Sequence, residues 1–255
     1  MRNRIALTLL LVGICAGVLP AGSDSAQLPY QAWNGHWWPF VDAAMATGRA
    51  NKPYGSPYND WEGFFAPFDK YSLALGEAPR WDFWAWELQW HGTPENPEDP
   101  NWAEWYGHCN GWSAASVMEI EPNVPGEYNG IYFRVGDKKA LLTEAHQGDG
   151  SRVFPEDPDV EPISAVLFHV TLVEYLKNLA KPLIIETSLG PQVWNSPCFA
   201  YDMTWTDVGS TRQVTTIVHL GRGSEAPDTT STFVRNLTYE YDLEMDGEVI
   251  TGGAW

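Results

Sequence analysis

Cysteine is scarce in this chain, with three in 255 residues. That excludes a disulfide-built scaffold, which in small secreted domains is cysteine-dense. Basic residues are scarce too. Fifteen Lys and Arg face 33 Asp and Glu, for a net charge of −18. A surface of that sign is a poor partner for nucleic acid or anionic membrane. The longest charge-free apolar run, residues 5–19, is shorter than the ~20 residues that span a bilayer as a helix. No HExxH, paired CxxC or phosphate-cradling glycine loop is present. The acidic stretch Glu95-Asn96-Pro97-Glu98-Asp99 lacks the alternating ligand spacing of a calcium loop. No metal and no cofactor are expected from these patterns.

The first residues read as a targeting leader rather than as fold. Arg2 and Arg4 precede the apolar run, and Ala21-Gly22-Ser23 supplies small residues for a signal peptidase. Cys15 lies in that run, but Ile14 before it is not the small residue that lipoprotein processing uses. The expectation is a secreted protein, extracellular or periplasmic, with residues 1–23 removed and no membrane association in the mature form. The mature chain keeps 13 basic and 33 acidic residues. Its roughly 230 residues suffice for one large domain.

Tryptophan is over-supplied and unevenly placed. Eleven of 14 fall between Trp33 and Trp112. They suit an aromatic core or collar, or a platform for stacking on sugars. The expected domain therefore divides into a Trp-rich wall over residues 24–101 and a catalytic core with C-terminal strands over 102–255. Residues 81–90 read as a helix or an irregular strand, since periodicity does not decide between them. Beyond Trp102 the elements are clearer. A helix over 110–120 stops at Glu121-Pro122. A strand covers 128–135. A helix over 137–146 has Asp137 as N-cap. Phe168-His169 leads into a helix with a stripe of Leu172, Val173, Leu176 and Leu179. A short buried strand covers 183–187. The end is β-rich over 213–220, 231–243 and 248–255, with Asp246-Gly247 as a hairpin signal.

Residues 105–116, Trp-Tyr-Gly-His-Cys-Asn-Gly-Trp-Ser-Ala-Ala-Ser, carry the chemistry. An aromatic-walled turn feeds Cys109 into the first turn of a small-residue helix. Unpaired backbone N–H groups and the positive end of the helix dipole favour the thiolate there, which is the nucleophilic form. A disulfide between Cys109 and Cys198 is the competing reading. A nucleophile needs a base, and six histidines are available: 36, 91, 108, 146, 169 and 219. His108, adjacent to the cysteine, suits packing. His36, His91 and His146 suit the surface, and His219 a strand. His169 follows an apolar stretch and precedes a helix, whose dipole would keep it neutral. Glu186, ending an apolar strand, needs a partner because burying a lone carboxylate is costly. It is the expected orienter of the imidazole, with Asn195 and Asp159 in reserve. The Cys109 backbone N–H with the indole of Trp102 or Trp105 is the expected oxyanion site. Trp112, Trp194 and Asn195 complete the candidate oxyanion and substrate contacts.

Tyr106-Gly107-His108-Cys109-Asn110-Gly111-Trp112-Ser113-Ala114-Ala115 resembles the nucleophile motif of the transglutaminase elicitor family, known from oomycete cell-wall glycoproteins and secreted bacterial proteins. It is also similar to the Tyr-Gly-Gln-Cys-Trp run of animal-type transglutaminases. Ala140-Leu141-Leu142-Thr143-Glu144, Phe168-His169 with Leu172 and Leu176, Val193-Trp194-Asn195-Ser196-Pro197, and Tyr239-Glu240-Tyr241 to Gly252-Gly253-Ala254-Trp255 extend the resemblance. Together they cover most of residues 37–255.

The resemblance implies an α+β fold with a papain/transglutaminase-like core: a cysteine-bearing helix packed on an antiparallel sheet, beside an aromatic-rich irregular N-terminal half. It implies a protein-glutamine γ-glutamyltransferase with Cys109 as nucleophile, His169 as base and Glu186 as acid. Its partners would be a protein or peptide glutamine donor and an amine acceptor, with cell-wall or surface association. Two residues depart from the family pattern. Glu186 stands where Asp is expected, one methylene longer, and Cys198 stands where an aliphatic residue is expected. A cysteine peptidase or amidase with the same triad, and a non-catalytic Trp-rich glycan-binding module, are the alternative functions.

Overall fold

The computed structural model describes residues 21–40, 44–47, 65–77, 86–87, 89, 105–149, 163–188, 192–231 and 233–255. Trp102, His91, Asp159 and most of residues 81–90 lie outside the described residues. In chain order the elements are β1 (Ala21–Gln27), α1 (Ala44–Thr47), α2 (Pro67–Ala74), α3 (Cys109–Met118), β2 (Gly126–Tyr128), β3 (Ile131–Phe133), α4 (Val135–Ala145), α5 (Ala165–Leu172), β4 (Leu183–Glu186), β5 (Asn195–Val208), β6 (Thr211–Leu220), β7 (Arg235–Asp246) and β8 (Val249–Ala254). A π-helical turn, Val173–Asn178, continues α5.

One antiparallel sheet runs β1-β5-β6-β7-β8. The other side of β5 from β6 is shared: β4 pairs with residues 195–198 and β1 with residues 200–206. Period-2 alternation sets the faces. Val214, Thr216, Val218 and Leu220 of β6 and Tyr241 and Leu243 of β7 point to the core. Phe168, Leu172 and Leu176 from α5 and its continuation, with Val117 from α3, close that core from one side. The fold is α+β, with the cysteine-bearing helix against an antiparallel sheet, as the resemblance implies.

Local chemistry explains the boundaries. Gly247 has φ +61 and completes the Asp246-Gly247 hairpin between β7 and β8. The strand expected over 128–135 is instead the hairpin β2–β3. Asn129 (φ 50) and Gly130 (φ 79) supply the left-handed turn that divides it. The helix expected from Asp137 begins two residues earlier, and Asp137 serves its first turn by accepting from the Arg134 backbone N–H at 2.7 Å. The segment 183–187 is a half-buried edge piece rather than a fully buried strand. β1 starts at Ala21, so Ala21, Gly22 and Ser23 pair with Thr206, Trp205 and Thr204.

Small residues let α3 sit close to its neighbours. A Cβ on Gly111 would stand 2.3 Å from the Thr143 carbonyl of α4, so only glycine permits this approach. Trp33 and Trp112 pack with Ala115, and Trp38 packs with Met45, Ala46, Phe68 and Ala140. These three tryptophans are core. Among the described residues, no helix is long and apolar enough to cross a membrane.

Candidate functional site

The first residue of α3 is Cys109, and it opens onto a cleft of about 170 Å³. Trp37, Trp112 and Trp194 wall the cleft, and Thr187, Asn195, Ser196, Gly223, Ser224 and Arg235 complete the lining. The cleft lies at one end of the sheet, where β4 ends, β5 starts, β6 has just ended and β7 begins. Trp37 and Trp194 meet edge to face, with centroids 5.3 Å apart. The aromatic N-terminal half thus supplies a wall through Trp37. A larger depression of about 610 Å³, lined by Trp205 and Tyr241 among others, contains no thiol.

Asn195 is the polar partner of the sulfur. Its backbone and side-chain amides lie close enough to lower the Cys109 pKa, as does the Asn110 backbone amide. Sγ itself points at the Val193 carbonyl, 3.9 Å away. Burial pushes the Cys109 thiol above its ordinary value, and these donors offset that only in part. Burial thus opposes the resting thiolate expected at the helix N-terminus. Thr187 Oγ1 and N both donate to the Trp194 carbonyl at 3.0 Å, fixing the strap that carries Trp194 over the cleft.

The expected Cys109–His169 hydrogen bond is not formed. His169 lies in the last turn of α5, not before a helix, because Ser164 caps the start by accepting from Leu167 N at 3.2 Å. The apolar residues Phe168 and Leu172 seat α5 on the sheet, with β7 and β8 beneath it. There His169 Nδ1 is 2.9 Å from Tyr241 Oη, and Tyr241 also contacts Thr216 Oγ1 at 3.0 Å. Burial, with the nearby Arg212 charge, lowers the His169 pKa. Burial, rather than the expected helix dipole, is what disfavours the charged imidazole. Glu186 is engaged elsewhere too. Its Oε1 accepts from Ser188 N at 2.6 Å, from Ser188 Oγ and from Trp194 N at 3.3 Å. It shapes the β4–β5 turn rather than orienting an imidazole.

Trp105 stacks on Tyr106, with centroids 4.2 Å apart, and does not line the cleft. Trp112 presents its ring to the cleft near Gly223, while its Nε1 faces Gly35. Cys109 and Cys198 are not bridged, and Cys198 is fully buried. His36, expected at the surface, is buried; it bridges Ser224 of the cleft rim and its Nδ1 lies 3.1 Å from the Glu225 carbonyl. His219 sits between Asp202 (2.8 Å) and Asn236 (2.9 Å), on the face opposite Val218 and Leu220. His108 packs as expected, against Phe40 at 4.6 Å, but with polar partners that sequence spacing did not suggest: Glu87 at 3.3 Å and Glu144 at 3.0 Å. Thr187, Gly223, Ser224 and Arg235 were not legible as site residues, because each is an ordinary residue that only the chain path brings to the cleft.

Comparison with known proteins agrees with this architecture. A family model described as Transglutaminase elicitor matches residues 101–156. The crystal structure of the GP42 transglutaminase from Phytophthora sojae is similar in fold, with a TM-score of 0.67 and 19% identity. That likeness covers 94% of this chain and 80% of that one. No curated protein matches.

Proposed function

We propose, from a cysteine segment and a fold that together support the transglutaminase elicitor family, that this protein is a secreted protein-glutamine γ-glutamyltransferase with Cys109 as its nucleophile. The observation that carries the reading is the thiol in a tryptophan-walled cleft, with Asn195 in the same lining. Cys109 Sγ attacks the carboxamide carbon of a glutamine side chain. The C–N bond breaks, the thiol proton leaves with the nitrogen as ammonia, and a thioester remains. A lysine-type amine then displaces the sulfur to give a cross-linked amide, or water displaces it to give glutamate.

Each side chain of the cleft has a task in this scheme. The Asn195 amide, with backbone N–H groups at the start of α3, stabilises the tetrahedral oxyanion. Trp37, Trp112 and Trp194 exclude water from the thioester, which favours amine over hydrolysis. His169 and Glu186 hold no step, since neither reaches the sulfur in this arrangement. Secretion belongs to the same proposal and is supported by Arg2, Arg4 and the apolar run over 5–19. The substrates are a protein or peptide glutamine and an amine, at the cell wall or surface.

Incorporation of a fluorescent amine into a glutamine-rich protein tests the proposal. Wild type incorporates the amine and Cys109→Ala does not. Retained incorporation in Cys109→Ala removes the nucleophile assignment, and glutamate formation without incorporation assigns an amidase instead.

A further inference from the structure

Glu87, His108 and Glu144 converge in the interior one residue before the cysteine. His108 Nδ1 is 2.9 Å from the Trp38 carbonyl oxygen, which also accepts from the His108 backbone N–H at 3.2 Å. A carbonyl only accepts, so Nδ1 carries a hydrogen. Nε2 then faces Glu144 Oε2 at 3.0 Å and Glu87 Oε1 at 3.3 Å. The three ligand-type atoms lie within 4.8 Å of one another. His108 and Glu87 are 1% exposed, and Glu144 is 15% exposed at its side chain.

We propose that Glu87, His108 and Glu144 form a binding site for one divalent transition-metal cation of the zinc class, which pins the start of α3 and thereby the position of Cys109. A neutral imidazole with Nδ1 protonated presents a bare lone pair at Nε2, the form that ligates a metal. Donation of the other ring nitrogen's hydrogen to a backbone carbonyl is the usual outer-shell support of a ligating histidine. Metal bonds of about 2.0–2.2 Å to nitrogen and carboxylate oxygen place neighbouring ligand atoms roughly 3.0–3.4 Å apart, which matches the observed pair of separations. An imidazole among the ligands selects against calcium and magnesium, which take oxygen. Phe40 set edge-on to His108 shields the site on one side, and Glu144 marks its solvent edge.

The probe is Co²⁺, added to chelator-treated full-length protein and followed by its visible absorption, with Zn²⁺ as competitor. The expected result is one equivalent bound per chain, displaced by Zn²⁺, and a rise in Tm with Zn²⁺. Loss of outer-shell partners alone costs about 10–100-fold in metal affinity, so Glu144→Gln and His108→Gln each weaken Co²⁺ binding by at least about 100-fold. Glu144→Gln, at the partly exposed edge, carries the test if His108→Gln does not fold. Cys109→Ser retains the signal, which separates this site from the thiol and the readout from the proposed activity. Folded wild type that binds no Co²⁺ or Zn²⁺, or binding insensitive to Glu144→Gln, overturns the proposal and leaves a hydrogen-bonded group around His108.

Discussion

Ser113 donates a 3.1 Å hydrogen bond to the backbone carbonyl of Asn195. Ser113 is one helical turn after Cys109, so the two side chains share a face of α3. The helix therefore holds the Asn195 backbone with one side chain and presents the thiol to the same cleft with the other. Asn195→Ala is expected to lower kcat for amine incorporation by about 10²–10³-fold with little change in KM, the signature of a lost oxyanion donor. Steady-state kinetics on a glutamine peptide check it. A change confined to KM would place Asn195 in substrate binding only.

His169→Gln separates the described arrangement from the triad implied by family resemblance. With its imidazole bonded to Tyr241, His169 acts in packing. Amine incorporation should stay within about threefold of wild type, against the ~10²–10⁴-fold loss of a general base. Thermal unfolding should report a loss on the order of 1 kcal/mol for the broken hydrogen bond.

The cysteine segment, the α+β class and the β-rich end were legible because each has a local signal. Cys109 starts a helix of small residues, and Asp246-Gly247 makes the hairpin its composition announces. Asn195, expected as a substrate contact and a reserve orienter, lines the cleft beside the sulfur. The site beyond it was not legible. Thr187 and Arg235 come from different strands, and no local pattern states where a strand end will lie. His169 misleads for a physical reason: an apolar stretch before a histidine looks like a path into a site, but here it is the packed face of α5.

Alkaline pH should act on buried titratable groups of the core, Cys198 and Tyr241 among them. Burial pushes the Cys198 thiol and the Tyr241 hydroxyl each up to about 12. Both bind their proton more tightly in the folded state than in the unfolded chain. Their contribution is fully present below about pH 9 and is lost as pH rises from there toward 12. Urea unfolding at successive pH values should show stability falling across that window, and Cys198→Ala should make the fall shallower. Unchanged slope in the variant would assign the loss to Tyr241 and other groups.

Cys109 should react slowly with iodoacetamide near neutral pH. Its pKa is raised by burial, so the alkylation rate should climb with a midpoint above that of an ordinary cysteine. A midpoint below pH 7 would show a resting thiolate and contradict the dominance of desolvation.

Gly111→Ala tests the link between packing and site. The added methyl would meet the Thr143 carbonyl at 2.3 Å and Gln147 Oε1 at 2.5 Å. Overpacking of this kind costs about 1–3 kcal/mol. Displacement of α3 should also lower amine incorporation, measured beside the melting temperature.

Intact-mass analysis after acid quench, with a glutamine peptide and no amine, tests the central claim most directly. The expected result is an adduct on Cys109 equal to the peptide less one ammonia, released by hydroxylamine and missing in Cys109→Ala. Turnover of the peptide with no adduct on Cys109, or the same adduct in Cys109→Ala, would contradict it.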